Sequence, residues 1–143
     1  MKTLSILTVA LTLTTSVFAE VPKWGNDVSK AVSAATRDKK LAFILMGREA
    51  CGNCKAIRSL VNEGKVPVTT DTFVTADINV DDQRSQAEFD KKFKKEKFGN
   101  TLPFVVITDT KGKALASFSG YKDAESLTAM IEDAKKKAAA APK

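Results

Sequence analysis

The sequence predicts an α/β sandwich in which a mixed sheet of about four strands is flanked by helices. Three observations carry this. Short apolar runs of strand length alternate with longer stretches whose apolar residues recur at helical spacing, in the order α, β, α, β, α, β, β, α. The first two runs are separated by a helical stretch, which makes a βαβ unit with a parallel pair and a right-handed crossover. The last two are separated only by the turn Asp109-Thr110-Lys111-Gly112, which makes an antiparallel hairpin.

Each element has its own local cause. Asn26 is the expected cap of a first helix carrying Val28, Ala31, Val32 and Ala35 on one face, after a short lead-in that holds the single Trp, Trp24. The polar run Arg37 to Lys40 ends that helix, and Leu41 to Met46 is a buried strand. Gly47-Arg48-Glu49-Ala50 leads into Cys51-Gly52-Asn53-Cys54 and a helix with Ile57, Leu60 and Val61 at helical spacing. Gly64 stops that helix, with Pro67 just beyond. Phe73 to Val80 is the second strand. Asp81-Asp82 caps a charged helix from Gln83 to about Lys97, broken by Gly99-Asn100. Thr101-Leu102-Pro103 opens the β-branched and aromatic strand Phe104 to Thr108, and Ala114 to Phe118 pairs back on it. The last helix runs from Asp123 to Lys137 with Leu127, Met130, Ile131 and Ala134 on one face, and residues 137–143 read as a frayed tail.

Residues 1–19 are expected to be a signal peptide. Lys2 supplies the positive start, Leu4 to Val17 carries no charge, and Val17-Phe18-Ala19 is a small-x-small cleavage site. The apolar part is short and rich in Thr, which argues against a membrane anchor. Export to the periplasm or beyond follows from that reading, and residues 20–143 form one domain. The net charge of +6 falls by one when Lys2 leaves with the leader. Much of the excess lies in Lys91 to Lys97 and Lys135 to Lys137. Phe89 and Phe93 at i, i+4 make the first run the wet face of an amphipathic helix rather than a nucleic-acid surface, although the charge can aid docking to acidic partners.

Both cysteines of the chain, Cys51 and Cys54, sit where a strand hands over to a helix. The first N–H groups of a helix lack intrahelical partners and the macrodipole is positive there, so a thiolate at Cys51 is favoured. In an oxidising compartment a structural disulfide must be weighed against this. Closing so small a loop gains only about 2 kcal/mol, little use to a domain of this size. A thiol–disulfide redox site is the better reading.

With a strand–CGNC–helix unit, a βαβ, Leu102-Pro103 ahead of a hairpin and a closing helix, the chain resembles the thioredoxin superfamily over Trp24 to Lys137. It looks most like small exported thioredoxin-like proteins with a Trp-bearing helix before the first core strand. The resemblance implies a thioredoxin-like three-layer sandwich. It implies that Cys51 is the exposed nucleophile and Cys54 the resolving thiol, that Gly52 and Asn53 tune the couple, and that Pro103, after Leu102, is a cis proline whose loop faces the disulfide and pairs with substrate backbone. It also implies protein or small-thiol disulfide substrates, a membrane-bound electron donor or acceptor, a monomer, and no cofactor beyond the redox-active disulfide.

Two departures stand out. Ala50 occupies the place before the first cysteine where family members commonly carry Trp, and Leu45 stands where many reductases place a buried acid that relays a proton from the resolving thiol. Glu49 and Lys55 are the nearby ionisable candidates for that relay. The chain has no histidine, which excludes a Cys-Pro-His-Cys oxidase and a closed zinc site. A reductase or isomerase fits better than a strong oxidase. The alternatives are a non-catalytic thioredoxin-fold binding module and a Cu(I)-delivery protein using the two thiols. Hydrolase, nucleotide and nucleic-acid functions have no motif to support them.

Overall fold

A computed structural model describes residues 20–141; the leader expected over residues 1–19 lies outside the described residues. In chain order the elements are β1 (Trp24–Gly25), α1 (Val28–Asp38), β2 (Leu41–Gly47), α2 (Gly52–Asn62), β3 (Phe73–Asn79), α3 (Gln83–Lys92), β4 (Phe104–Thr108), β5 (Ala114–Ser119) and α4 (Ala124–Ala140). The five strands form one sheet in the order β1-β3-β2-β4-β5. The β3–β2 pair is parallel, as the crossover requires, and β4 runs antiparallel to both β2 and β5.

Every residue of β2 is buried, because helices cover both faces of the sheet. Leu41, Phe43 and Leu45 point to a core shared with Ile57 and Val61 of α2 and with Leu127, Ile131 and Ala134 of α4. Ala42, Ile44 and Met46 point the other way, to Val28, Ala31 and Ala35 of α1 and Phe89 of α3. The alternation of one strand thus feeds two cores and fixes three layers. Ile57 and Val61 each contribute about 1.5–3 kcal/mol through burial, and both sit on the helix that carries the cysteines.

Four features depart from the sequence reading. The sheet has a fifth strand: Trp24 and Gly25 pair parallel with Thr75 and Ala76, so Trp24 lies on an edge strand ahead of α1 and not on a helix. Its ring packs edge-on against Phe43 with centroids 6.1 Å apart, and its Nε1 donates to Asn62 Oδ1 at 2.8 Å. The cap of α1 is Asp27, not Asn26, with Asp27 Oδ1 accepting from the Lys30 amide at 2.7 Å.

Helix α3 ends at Lys92, short of Lys97. At 3.6 residues per turn, Phe98 on an unbroken helix would point roughly opposite to Phe89. The chain instead turns, so that Phe98 packs on Phe89 at 5.7 Å and stacks on Phe104 at 5.0 Å between centroids. Ser117 Oγ donating to Glu96 Oε2 at 2.6 Å ties the turn to β5. At the other end of the chain α4 continues through Ala140, past Lys137 where the sequence predicts a frayed tail. Alanine has the highest helix propensity, and Ala138 packs against the core beside Ala134, so the helix runs on.

Candidate active site

The strand-to-helix junction builds the site. β2 ends at Gly47, three exposed residues follow, and Cys51 becomes the N-cap of α2 with extended backbone at φ −82 and ψ 116. Its sulfur accepts from the Cys54 amide at 3.1 Å, one of the N–H groups a helix start leaves unpaired. Cys51 and Cys54 are joined in a disulfide with Cα atoms 5.2 Å apart. Their environments are unequal. Cys51 is half-buried, whereas Cys54, carried on the core face of α2 with Ile57 and Val61, has no exposed surface. One sulfur can be approached from outside and the other cannot.

The Leu102–Pro103 peptide is cis, and Pro103 is buried at the head of β4. The side-chain amide of Asn53 donates to the Leu102 carbonyl at 3.3 Å, joining the dipeptide between the cysteines to the proline loop. The Pro103 carbonyl accepts from the Gly120 amide at 2.9 Å, which ties that loop to the end of β5. Gly52 is exposed, and a Cβ placed there would meet nothing within 4 Å. Of the two relay candidates, Glu49 is exposed on the loop before Cys51 and lines a cleft of about 340 Å³; Lys55 is exposed on α2 and is not among the residues lining it.

That cleft contains residues that sequence reasoning does not single out: Gly47, Arg48, Arg58, Asp77 and Asn79 line it with Glu49. A Cβ on Gly47 would lie 2.6 Å from Cys54 Sγ, so the last residue of β2 must be glycine for the buried sulfur to occupy its place. Arg58 Nε lies 2.6 Å from Asp77 Oδ2, too far off line to be a hydrogen bond, and Nη2 donates to Oδ1 at 3.2 Å. Arg48 pairs with Asp81 at 2.9 Å. The i, i+4 spacing of Cys54 and Arg58 is the one sequence signal for the arginine. Asp77 becomes visible only once the register pairs it with Leu45.

Residues 28–135 match the family model described as a thioredoxin-like domain. No curated protein matches the chain. Among solved structures, a mutant thioredoxin from Halobacterium salinarum NRC-1 is similar with a TM-score of 0.58 at 17% identity, covering 82% of this chain and 94% of that one. A chain of the ferredoxin:thioredoxin reductase–thioredoxin f2 complex gives 0.55 at 18% identity, covering 76% and 91%. A chain from the work on thiol resolution in yeast mitochondrial 1-Cys peroxiredoxin via glutathione/thioredoxin systems gives 0.55 at 13% identity, covering 78% and 94%. At these identities the neighbours show the fold alone. The matched family, the three-layer sandwich and the C-x-x-C disulfide at the start of α2 agree: the chain belongs to the thioredoxin-like family.

Proposed function

We propose that the protein is an exported thiol–disulfide oxidoreductase, a reductase or isomerase rather than a strong oxidase. The observation that supports this best is the asymmetry of the disulfide: Cys51 is accessible at a helix start, beside the loop of cis Pro103, while Cys54 is fully buried. A structural staple needs no such difference, and an exchange reaction does.

In the reducing direction the Cys51 thiolate attacks one sulfur of a substrate disulfide. A Cys51–substrate bond forms and the other substrate sulfur leaves as a thiolate. Cys54 then loses its proton and attacks Cys51 Sγ, which restores the Cys51–Cys54 bond and expels the second substrate sulfur. Two electrons have passed from the protein dithiol to the substrate. The reverse sequence oxidises a dithiol. Substrates are protein or small-thiol disulfides, the couple itself serves in place of a cofactor, and a membrane-bound donor or acceptor resets it in the exported, monomeric protein.

Trapping tests this. Cys54→Ser in the full chain should accumulate mixed disulfides through Cys51 that reductant releases. Absence of trapped partners, together with no cellular effect of Cys51→Ser, points to a binding module instead. The reduction potential of the couple, measured in glutathione buffers, gives the direction: below the glutathione range a reductase, above it an isomerase or oxidase.

A further inference from the structure

The excess positive charge of the chain collects at one end of the sheet. Lys91, Lys92, Lys94, Lys95 and Lys97 stand at and just beyond the end of α3, and Lys111 and Lys113 sit on the turn between β4 and β5. All seven are exposed. The two stretches, 91–97 and 109–113, hold only Glu96 and Asp109 against these seven lysines, a net charge of +5. That is the whole net charge of residues 20–143, since Lys2 accounts for the remaining unit of the chain's +6. Because α3 stops at Lys92, the run does not lie along one helix face. Lys92, Lys94 and Lys95 instead line a cleft of about 430 Å³ together with Lys113. The turn is held there by packing: Gly112 is buried at φ 77, and a Cβ on it would lie 3.1 Å from Lys92 Nζ.

Both carboxylates of the patch are turned to hydrogen bonds of the fold. Asp109 Oδ1 accepts from the Lys111 and Lys113 amides at 2.8 and 2.9 Å, and Glu96 accepts from Ser117. None of the seven lysines stands in an ion pair among the described residues. The lysine run of α4 differs, since Lys135 and Lys137 pair with Glu132 and Asp133. Like charges gathered without partners repel one another, and a negative surface relieves that repulsion. The chemistry of the patch says which surface. It holds no arginine, whose planar fork reads carboxylates in pairs, and lysine acts as a point charge. Protein interfaces are anchored by buried aromatic and arginine side chains. The large apolar residues exposed among the described residues are Val21 and Tyr121, and neither is in the patch. We propose that this end of the molecule docks on an anionic lipid surface, with the lysines against the headgroups. The disulfide then faces away from the lipid. β4 leads from Pro103, whose loop Asn53 holds beside the cysteines, to the turn at Asp109, and its five residues span about 17 Å. This inference does not depend on the exchange reading proposed above.

The experiment is sedimentation of the full chain with two kinds of vesicle, phosphatidylcholine alone and about one part phosphatidylglycerol to three of phosphatidylcholine. Residues 1–19 are common to every sample, so comparison between variants cancels their share. The wild type should bind the anionic vesicles more tightly than the neutral ones, and lose that preference as salt rises. Each lysine near an anionic surface strengthens binding about fivefold, so Lys94→Gln/Lys95→Gln/Lys113→Gln should weaken it about 10²-fold. The charge-matched Lys135→Gln/Lys136→Gln/Lys137→Gln should weaken it only about fivefold, because two of its three charges are already paired. On the anionic vesicles, Cys51 of the reduced protein should react with iodoacetamide as fast as in solution. Equal losses in the two triple variants would mean that net charge alone is read, and would overturn the proposal. So would the absence of a preference for anionic vesicles, or protection of Cys51 on binding. Transfer of the bound protein from vesicles to polyglutamate or duplex DNA at equal charge concentration would overturn it in favour of a protein or nucleic-acid partner.

Discussion

Asn53 and Leu102 are joined by a side-chain amide donating to a backbone carbonyl at 3.3 Å, so the dipeptide between the cysteines holds the loop that carries the cis proline. A neutral hydrogen bond of this kind contributes about 1 kcal/mol net. Asn53→Ala should therefore lower the stability of the oxidised protein by about that amount in urea unfolding, with an unchanged slope. On the proposed reading, in which substrate backbone pairs with the proline loop, it should also weaken exchange with peptide disulfides more than with small ones. Equal loss for both substrate types would separate Asn53 from that loop.

Gly47 and Gly52 flank the disulfide but differ in what a methyl group would meet. At Gly47 the Cβ would fall 2.6 Å from Cys54 Sγ, and the backbone cannot retreat because its carbonyl accepts from the Val80 amide at 2.8 Å. Overpacking of this sort costs about 1–3 kcal/mol, so Gly47→Ala should be destabilised on that scale. Gly52→Ala meets open space at the first helical position, where replacing glycine stabilises by about 0.4–1 kcal/mol through the unfolded chain. Thermal melts of the two oxidised variants should move in opposite directions.

Reduction should expose the inequality of the two sulfurs. Cys51 is half-buried at the helix cap and Cys54 has no accessible surface. Brief treatment of the reduced protein with iodoacetamide, followed by peptide mapping by mass spectrometry, should find the label on Cys51 with Cys54 modified only on long exposure or in urea. Equal labelling in the native state would remove the basis for assigning nucleophile and resolving thiol.

Much of this architecture is legible in the sequence because local chemistry and tertiary packing agree. The run Leu41–Met46 is apolar at every position because both sheet faces are covered, and Gly64 ends α2 at φ 65, a conformation that disfavours a side chain. What is not legible depends on partners distant in the chain. Two residues, Trp24 and Gly25, carry no strand pattern and become β1 only by pairing with Thr75 and Ala76. Helix α3 reads as long because its lysines favour helix, and it stops where Phe98 must reach Phe104. The two thiols stand out by spacing, whereas Asp77 is one of many carboxylates until the β2–β3 register sets it beside Leu45 and against Arg58.

Two exposed caps set part of the acid response. The Ser85 amide donating to Asp82 and the Ser126 amide donating to Asp123 hold both carboxyls below the usual carboxylate range, with the serine hydroxyls adding to the effect. A carboxyl whose folded pKa is depressed contributes stability that is complete above its unfolded value of about 3.9 and is lost as pH falls through the lower folded value. Asparagine caps a helix about as well as aspartate and does not titrate. The double variant Asp82→Asn/Asp123→Asn should therefore unfold near the wild-type urea midpoint at neutral pH, yet lose less stability on acidification below about pH 4. Urea titrations at a series of pH values read this directly: parallel acid slopes in the two proteins would mean that other carboxylates carry the whole response, and a shallower slope in the variant assigns its share to these two helix starts.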